Sequence, residues 1–182
     1  MTSLFTGCGY NKMVSLDEQV SAAWAQVENV YQRRLDLIPN LVATVKGAAA
    51  HEEETFTALA EARSRAGGVM EVNEDVLNNP EAFARFQAAQ DSLGSALQRL
   101  LVVTENYPEL KANANFLALQ DQLEGTENRI TVERKRFNET VQIYNTTIRR
   151  FPQVIVANMT GFEKRPYFEA AAGADSAPQV EF

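Results

Sequence analysis

Any chemistry in this chain has to be built around His51, its one histidine, which heads the run His51-Glu52-Glu53-Glu54. Histidine beside carboxylates suggests a metal site, but zinc needs several His, Cys or carboxylate ligands converging on one point. A His-Glu-x-x-His pair is missing, because the position that would complete it is Thr55. The run therefore reads as a solvated helix face, with Glu52 falling on an apolar line and in need of a partner. A serine or cysteine triad would draw on the same imidazole, and the single cysteine, Cys8, sits near a terminus, a poor platform for fixed geometry. The carboxylate pairs Glu124 with Glu127 and Glu53 with Glu54 have the spacing of ordinary helix charge decoration. Gly67-Gly68 is more simply a helix end than a phosphate loop. No catalytic, cofactor-binding or metal-ligating residue is assigned; a hydrolytic enzyme using carboxylates with His51 stands as an alternative.

Three polar residues fall where apolar ones are expected. Arg34, Gln90 and Glu133 each occupy a step of a hydrophobic seam, and a buried charge without a partner costs several kcal/mol. They are expected to satisfy one another, or backbone groups, and so to set helix register.

The elements that would carry these residues are helical almost throughout. Leu16, Val20, Ala23, Val27, Val30, Arg34 and Ile38 recur at steps of three or four, and Leu41, Val45, Ala48, Glu52, Phe56 and Leu59 continue the rhythm to about Ala66. Asp36 can cap a new helix whose first turn accepts Pro39, so a break is expected there; the alternative is one long helix kinked at Pro39. Asn79-Pro80-Glu81 is a helix start, and Phe83, Phe86, Gln90, Leu93, Leu97, Leu100 and Thr104 form a bundle seam ending at Asn106-Tyr107-Pro108. Phe116, Leu119, Leu123, Thr126, Ile130, Glu133 and Phe137 form another, which shifts by one residue to Val141, Tyr144 and Ile148. The reading is an all-α, elongated up-and-down four-helix bundle with helices at roughly 15–37, 39–66, 80–106 and 111–150, followed by a short helix ending at Gly161. Residues 1–10 read as an anchor segment, 11–169 as the bundle and 170–182, rich in Ala, Gly and Ser, as a disordered tail.

Composition limits the partners. With 182 residues, 45% hydrophobic and 23% charged, the chain can fill one core. A net charge of −7 argues against nucleic acid, which requires a basic face. An acidic surface also repels an anionic membrane, so attachment is expected through an anchor. Leu4-Phe5-Thr6-Gly7-Cys8 resembles the end of a bacterial lipoprotein signal, with Cys8 as the lipid-bearing residue. Too few residues precede Cys8 for a whole signal, so either the true start lies upstream of Met1 or the resemblance is accidental. No run is long and apolar enough to span a bilayer.

The stretch from Gln32 to Gly47, running into His51-Glu52, resembles closely the signature of the LemA family. So do Asn106-Tyr107-Pro108 through Asn113 with Phe116, Leu123 through Ile130, Arg136-Phe137-Asn138, Tyr144-Asn145, Phe151-Pro152, Gly161-Phe162 and Tyr167-Phe168-Glu169, in the family's order. Two departures, Gly47-Ala48-Ala49 and Arg136-Phe137, each lack a tyrosine that the family tends to carry. The resemblance implies a membrane-tethered bacterial helical bundle with no cofactor, at the cell envelope. Three functional readings remain: a non-catalytic scaffold that binds a protein partner or copies of itself, a membrane-binding or membrane-shaping protein using a segment such as Phe151 to Phe168 with Lys164 and Arg165, and the His51 hydrolase. No small-molecule substrate is identified.

Overall fold

Six helices follow one another in the computed structural model, which describes residues 5–71 and 76–169: α1 Phe5–Lys46, α2 Glu53–Glu71, α3 Pro80–Thr104, α4 Pro108–Lys111, α5 Ala114–Arg149 and α6 Gln153–Thr160. They pack as a bundle, and no strand occurs among the described residues. α1 and α5 lie antiparallel along their lengths, while α2 and α3 pair with each other. The α3 seam is buried at all seven expected positions. Asn79 caps that helix, its Oδ1 accepting from the amides of Glu81 at 3.0 Å and Ala82 at 3.1 Å, with Pro80 in the first turn. On α5 the seam shift also holds: Phe137, Val141, Tyr144 and Ile148 are all buried.

The first half of the chain departs from the expected boundaries. α1 begins at Phe5 rather than near residue 15, and runs through Asp36 and Pro39 to Lys46, about 63 Å of helix. The break falls instead at residues 47–52, so neither a new helix at Pro39 nor one continuous helix to residue 66 describes it. Proline inside a helix leaves the carbonyl four residues back without its amide partner. Here that carbonyl belongs to Leu35, and Arg63 Nε on α2 donates to it at 3.3 Å. A neighbouring helix thus supplies the missing donor, and α5 is long enough to cover the extended face of α1. Farther on, Gly47 weakens the helix and the acids Glu53 and Glu54 favour a new N-terminus. Gly67-Gly68 does not end α2 either: the helix continues to Glu71, which lets Val69 and Met70 pack against the core.

The interior divides into two apolar clusters along the long axis. One gathers Met13, Val20, Trp24, Tyr31, Phe83, Phe86, Ile130, Phe137 and Tyr144. The other gathers Leu35, Ile38, Leu41, Leu59, Leu93, Leu100, Leu110 and Leu123. The anchor segment is described only from Phe5 onward, as the start of α1, and the tail at 170–182 lies outside the described residues.

The Pro39 arrangement is testable by a double-mutant cycle. Replacing Arg63 with Leu should cost about 1 kcal/mol in the native chain, and distinctly less when Pro39→Ala has restored a local donor for Leu35. Strictly additive denaturation free energies would show that Arg63 does not serve the proline gap.

Candidate functional site

Between the two clusters lies a polar layer. Arg34 of α1 is 3% exposed. Its Nη2 donates to the Gln90 backbone carbonyl at 2.9 Å and to Gln90 Oε1 at 2.6 Å, while Nη1 reaches the two Glu127 carboxylate oxygens at 3.1 and 3.3 Å. The guanidinium also lies 5.0 Å from the centre of the Tyr31 ring. Gly94 borders the site, since a Cβ there would stand 3.6 Å from Nη1. Arg34 Nε and Gln90 Nε2 are buried without a partner among the described residues. The third seam residue, Glu133, lies elsewhere: its carboxylate pairs with Arg136 at 2.8 Å, on the same helix. Glu127, which does complete the layer, looked like surface decoration in the sequence. The available signal was its place beside Thr126 and Ile130 on the α5 seam.

A second polar array holds residues 162–169, which follow α6 and form no regular secondary structure. Gly161 ends α6 with φ of 78°, a conformation glycine adopts without strain. The chain then runs back over α1 and α5 as a strap. Asn145 grips it at Arg165, donating to the carbonyl and accepting from the amide, both at 2.9 Å. Asn138 grips Phe168 in the same way, again with both bonds at 2.9 Å. Gln87 of α3 bonds both backbone groups of Glu169, at 3.1 and 3.3 Å. The Tyr144 hydroxyl donates to the Glu163 carbonyl at 3.0 Å. Side-chain amides here do the work of a neighbouring β-strand, satisfying backbone groups that no helix serves.

Two strap side chains enter the fold. Arg165 donates to Asp17 at 2.7 Å and stacks over Tyr144. Phe168 is 6% exposed and joins Trp24, Phe83 and Phe137, with ring centres 6.0, 4.8 and 5.5 Å away. Phe137, at the position lacking the family's tyrosine, is wholly buried and contributes packing alone. Burial pushes the Tyr144 hydroxyl above the ordinary tyrosine range, with nearby Asp17 adding to it, and burial raises Tyr31 as well. Both therefore stay protonated, and Tyr144 can donate, at neutral pH.

The residues of the metal and hydrolase readings do not converge. His51 is exposed in the turn between α1 and α2. Glu52 turns away from it and accepts the Tyr107 hydroxyl at 2.9 Å, the partner its apolar position requires. No group of three or more metal-ligating side chains occurs among the described residues. An open groove of about 800 Å³ between α2 and α3 is lined by Arg65, Val69, Ala82, Arg85 and Ala89 among others, and by neither His51, Arg34, Gln90 nor Glu133. Cys8 lies in the first turns of α1, its side chain outside the described residues.

The arrangement defines a helical-bundle protein whose buried polar side chains are turned onto one another and onto its own backbone. The chain belongs to the LemA family, whose model matches residues 23–182. It is similar to the magnetosome protein MamQ of Magnetospirillum gryphiswaldense, at 27% identity over 94% of this chain and 70% of that protein. It is likewise similar to magnetosome proteins MamQ 1 and MamQ 2 of Paramagnetospirillum magneticum, each 26% identical over 92% of this chain and 67% of theirs.

Two measurements probe the strap. Asn145→Ala should cost about 1 to 3 kcal/mol, because it strands a carbonyl and an amide of Arg165 together, and should red-shift the emission of Trp24, the chain's one tryptophan, as Phe168 leaves its ring. Unchanged emission and stability would mean that the strap is not held by its amide ladder. The raised tyrosines set a pH limit: a folded-state pKa above the unfolded value leaves the contribution complete below about pH 10 and removes it as pH rises through the folded value. Denaturant midpoints should therefore fall as the pH rises above about 10, and fall less in Tyr144→Phe.

Proposed function

We propose that this chain is a non-catalytic, membrane-tethered helical-bundle protein that acts by binding, as an interaction or scaffold module at the bacterial envelope. The observation that carries this reading is where the polar chemistry goes. Arg34, Gln90, Glu127, Asn138, Asn145 and Tyr144 are all engaged in holding the fold, while the lone imidazole stands exposed in a turn with its neighbouring Glu52 committed to Tyr107. A reaction centre needs converging groups around a substrate position, and these groups converge on one another and on backbone instead. Family membership supports a bacterial, membrane-associated role, and so do the relatives named as magnetosome proteins.

In this reading Arg34, Gln90 and Glu127 are register residues, and the body is tethered through Cys8 and whatever precedes it. No described helix is long and apolar enough to cross a membrane. The tether we favour is acylation of Cys8, because Leu4-Phe5-Thr6-Gly7-Cys8 resembles the end of a lipoprotein signal. A protein partner, or a second copy, would meet the exposed helix faces.

The test is the mass of the mature N-terminal peptide from native membranes, alongside fractionation of Cys8→Ser. Diacylated or triacylated Cys8, and release of the serine variant into the soluble fraction, are the expected results. An unmodified Cys8 with unchanged membrane recovery of the variant would overturn the tether.

A further inference from the structure

The end of the bundle where α1 begins carries a surface that the rest of the fold leaves unused. α6 buries Ala157 and half-buries Val154 and Val156 against the bundle, which leaves Phe151, Ile155 and Met159 outward, at 80%, 52% and 81% exposed. A step of four residues places Ile155 and Met159 on one face of α6, and Phe151 stands exposed in the turn just before that helix. Tyr10, 43% exposed, extends the apolar surface onto α1, its ring edge-on to Phe162 at 5.9 Å. Around this patch stand Lys12, Arg149, Arg150 and Lys164, all exposed and none in an ion pair among the described residues.

Charge is therefore sorted along the long axis. In residues 9–13 and 146–164 these four bases face the single acid Glu163, in a chain whose net charge is −7. At the opposite end, Glu52, Glu53, Glu54, Glu105 and Glu109 outnumber Lys46 and Lys111. The net charge of −7 averages over the whole surface, and this end departs from that average.

We propose that this end docks on an anionic bilayer. Phe151, Ile155 and Met159 enter the boundary between headgroups and acyl chains, and Lys12, Arg149, Arg150 and Lys164 meet lipid phosphates, so the bundle stands on the membrane with its α1–α2 turn outermost. A basic rim around an apolar patch is the combination that holds a helix in an interface. A second copy in a symmetric contact would bring four like charges against four. The proposal rests on the tethered reading, which puts the membrane at Cys8; that residue lies at this same end, since a Cβ on neighbouring Gly9 would stand 3.8 Å from Gln153 Cγ of α6. Of the segment singled out in the sequence, Arg165 and Phe168 belong to the strap and not to the membrane face.

The experiment uses the full chain carrying Cys8→Ser, free of acyl groups, floated with vesicles of phosphatidylglycerol and phosphatidylethanolamine or of phosphatidylcholine alone. Docking predicts flotation with the anionic vesicles that weakens with added salt, and little with phosphatidylcholine. Phe151→Glu with Met159→Glu should lower the partition coefficient at least about tenfold, and Arg149→Glu with Arg150→Glu by a similar factor, with melting unchanged because all four side chains are exposed. Equal flotation with both vesicle types, or flotation indifferent to these substitutions, overturns the proposal. So does self-association in the absence of vesicles that the Phe151 and Met159 substitutions abolish, which would assign the patch to a second copy. Absence of flotation, with an acylated Cys8 found in native membranes, removes the docking and leaves the tether standing; an unmodified Cys8 with flotation intact does the reverse.

Discussion

The guanidinium of Arg34 is the constraint around which the helices have to arrange themselves. Withdrawing such a charge from water costs several kcal/mol unless its hydrogen-bonding capacity is met, and here four bonds from Arg34 to Gln90 and Glu127 meet most of it. Those partners come from α3 and α5, so one side chain binds three helices at one depth. The seams alone would not do this: a ridge repeating every three or four residues can slide by a heptad and still bury its leucines. Sliding Arg34 by a heptad would strand it among aliphatic side chains. In the proposed register role, the two unpartnered donors beside it, Arg34 Nε and Gln90 Nε2, are a cost accepted in return for a single alignment.

The layer also separates two kinds of packing. On the α1–α2 turn side, α2 and α3 complete a conventional bundle around Leu41, Leu59, Leu93 and Leu100. On the other side α1 extends beyond α2, and its apolar face is covered by α5, α6 and the strap. Aromatic side chains dominate there because Trp24, Phe83, Phe137 and Phe168 fill a wide space with few residues. An irregular segment can lie over such a core only if its backbone groups are served, and Asn138, Asn145, Gln87 and Tyr144 serve them.

How much of this could be read in the sequence depended on whether the cause was local. The seams of α3 and α5, the Asn79-Pro80 start and the stop at Gly161 were legible because period, cap and φ preference are properties of neighbouring residues. The passage of α1 through Pro39 was not, because the compensating donor, Arg63, comes from another helix 28 residues away. Glu127 reads as surface charge in the sequence, since a carboxylate one position off a seam looks the same whether it faces water or a buried arginine. The strap has no hydrophobic period at all. Its grip is visible only as resemblance: of the resembling residues, Asn138 bonds Phe168, while Tyr144 and Asn145 bond Glu163 and Arg165.

That grip bears on function through α6. A helix of eight residues has too few internal bonds to hold its own direction, so the orientation of its outer stripe must be imposed from both ends. At one end the chain enters directly from α5. At the other, Gly161 reverses it into the strap, where Tyr144 and Asn145 fix Glu163 and Arg165 within a few residues of the helix terminus. Asp17, holding Arg165, ties the same point to α1. The patch of Phe151, Ile155 and Met159 is thus braced against the two longest helices of the molecule. A bilayer that engaged it would hold the whole bundle axis at a second point besides the proposed tether at Cys8.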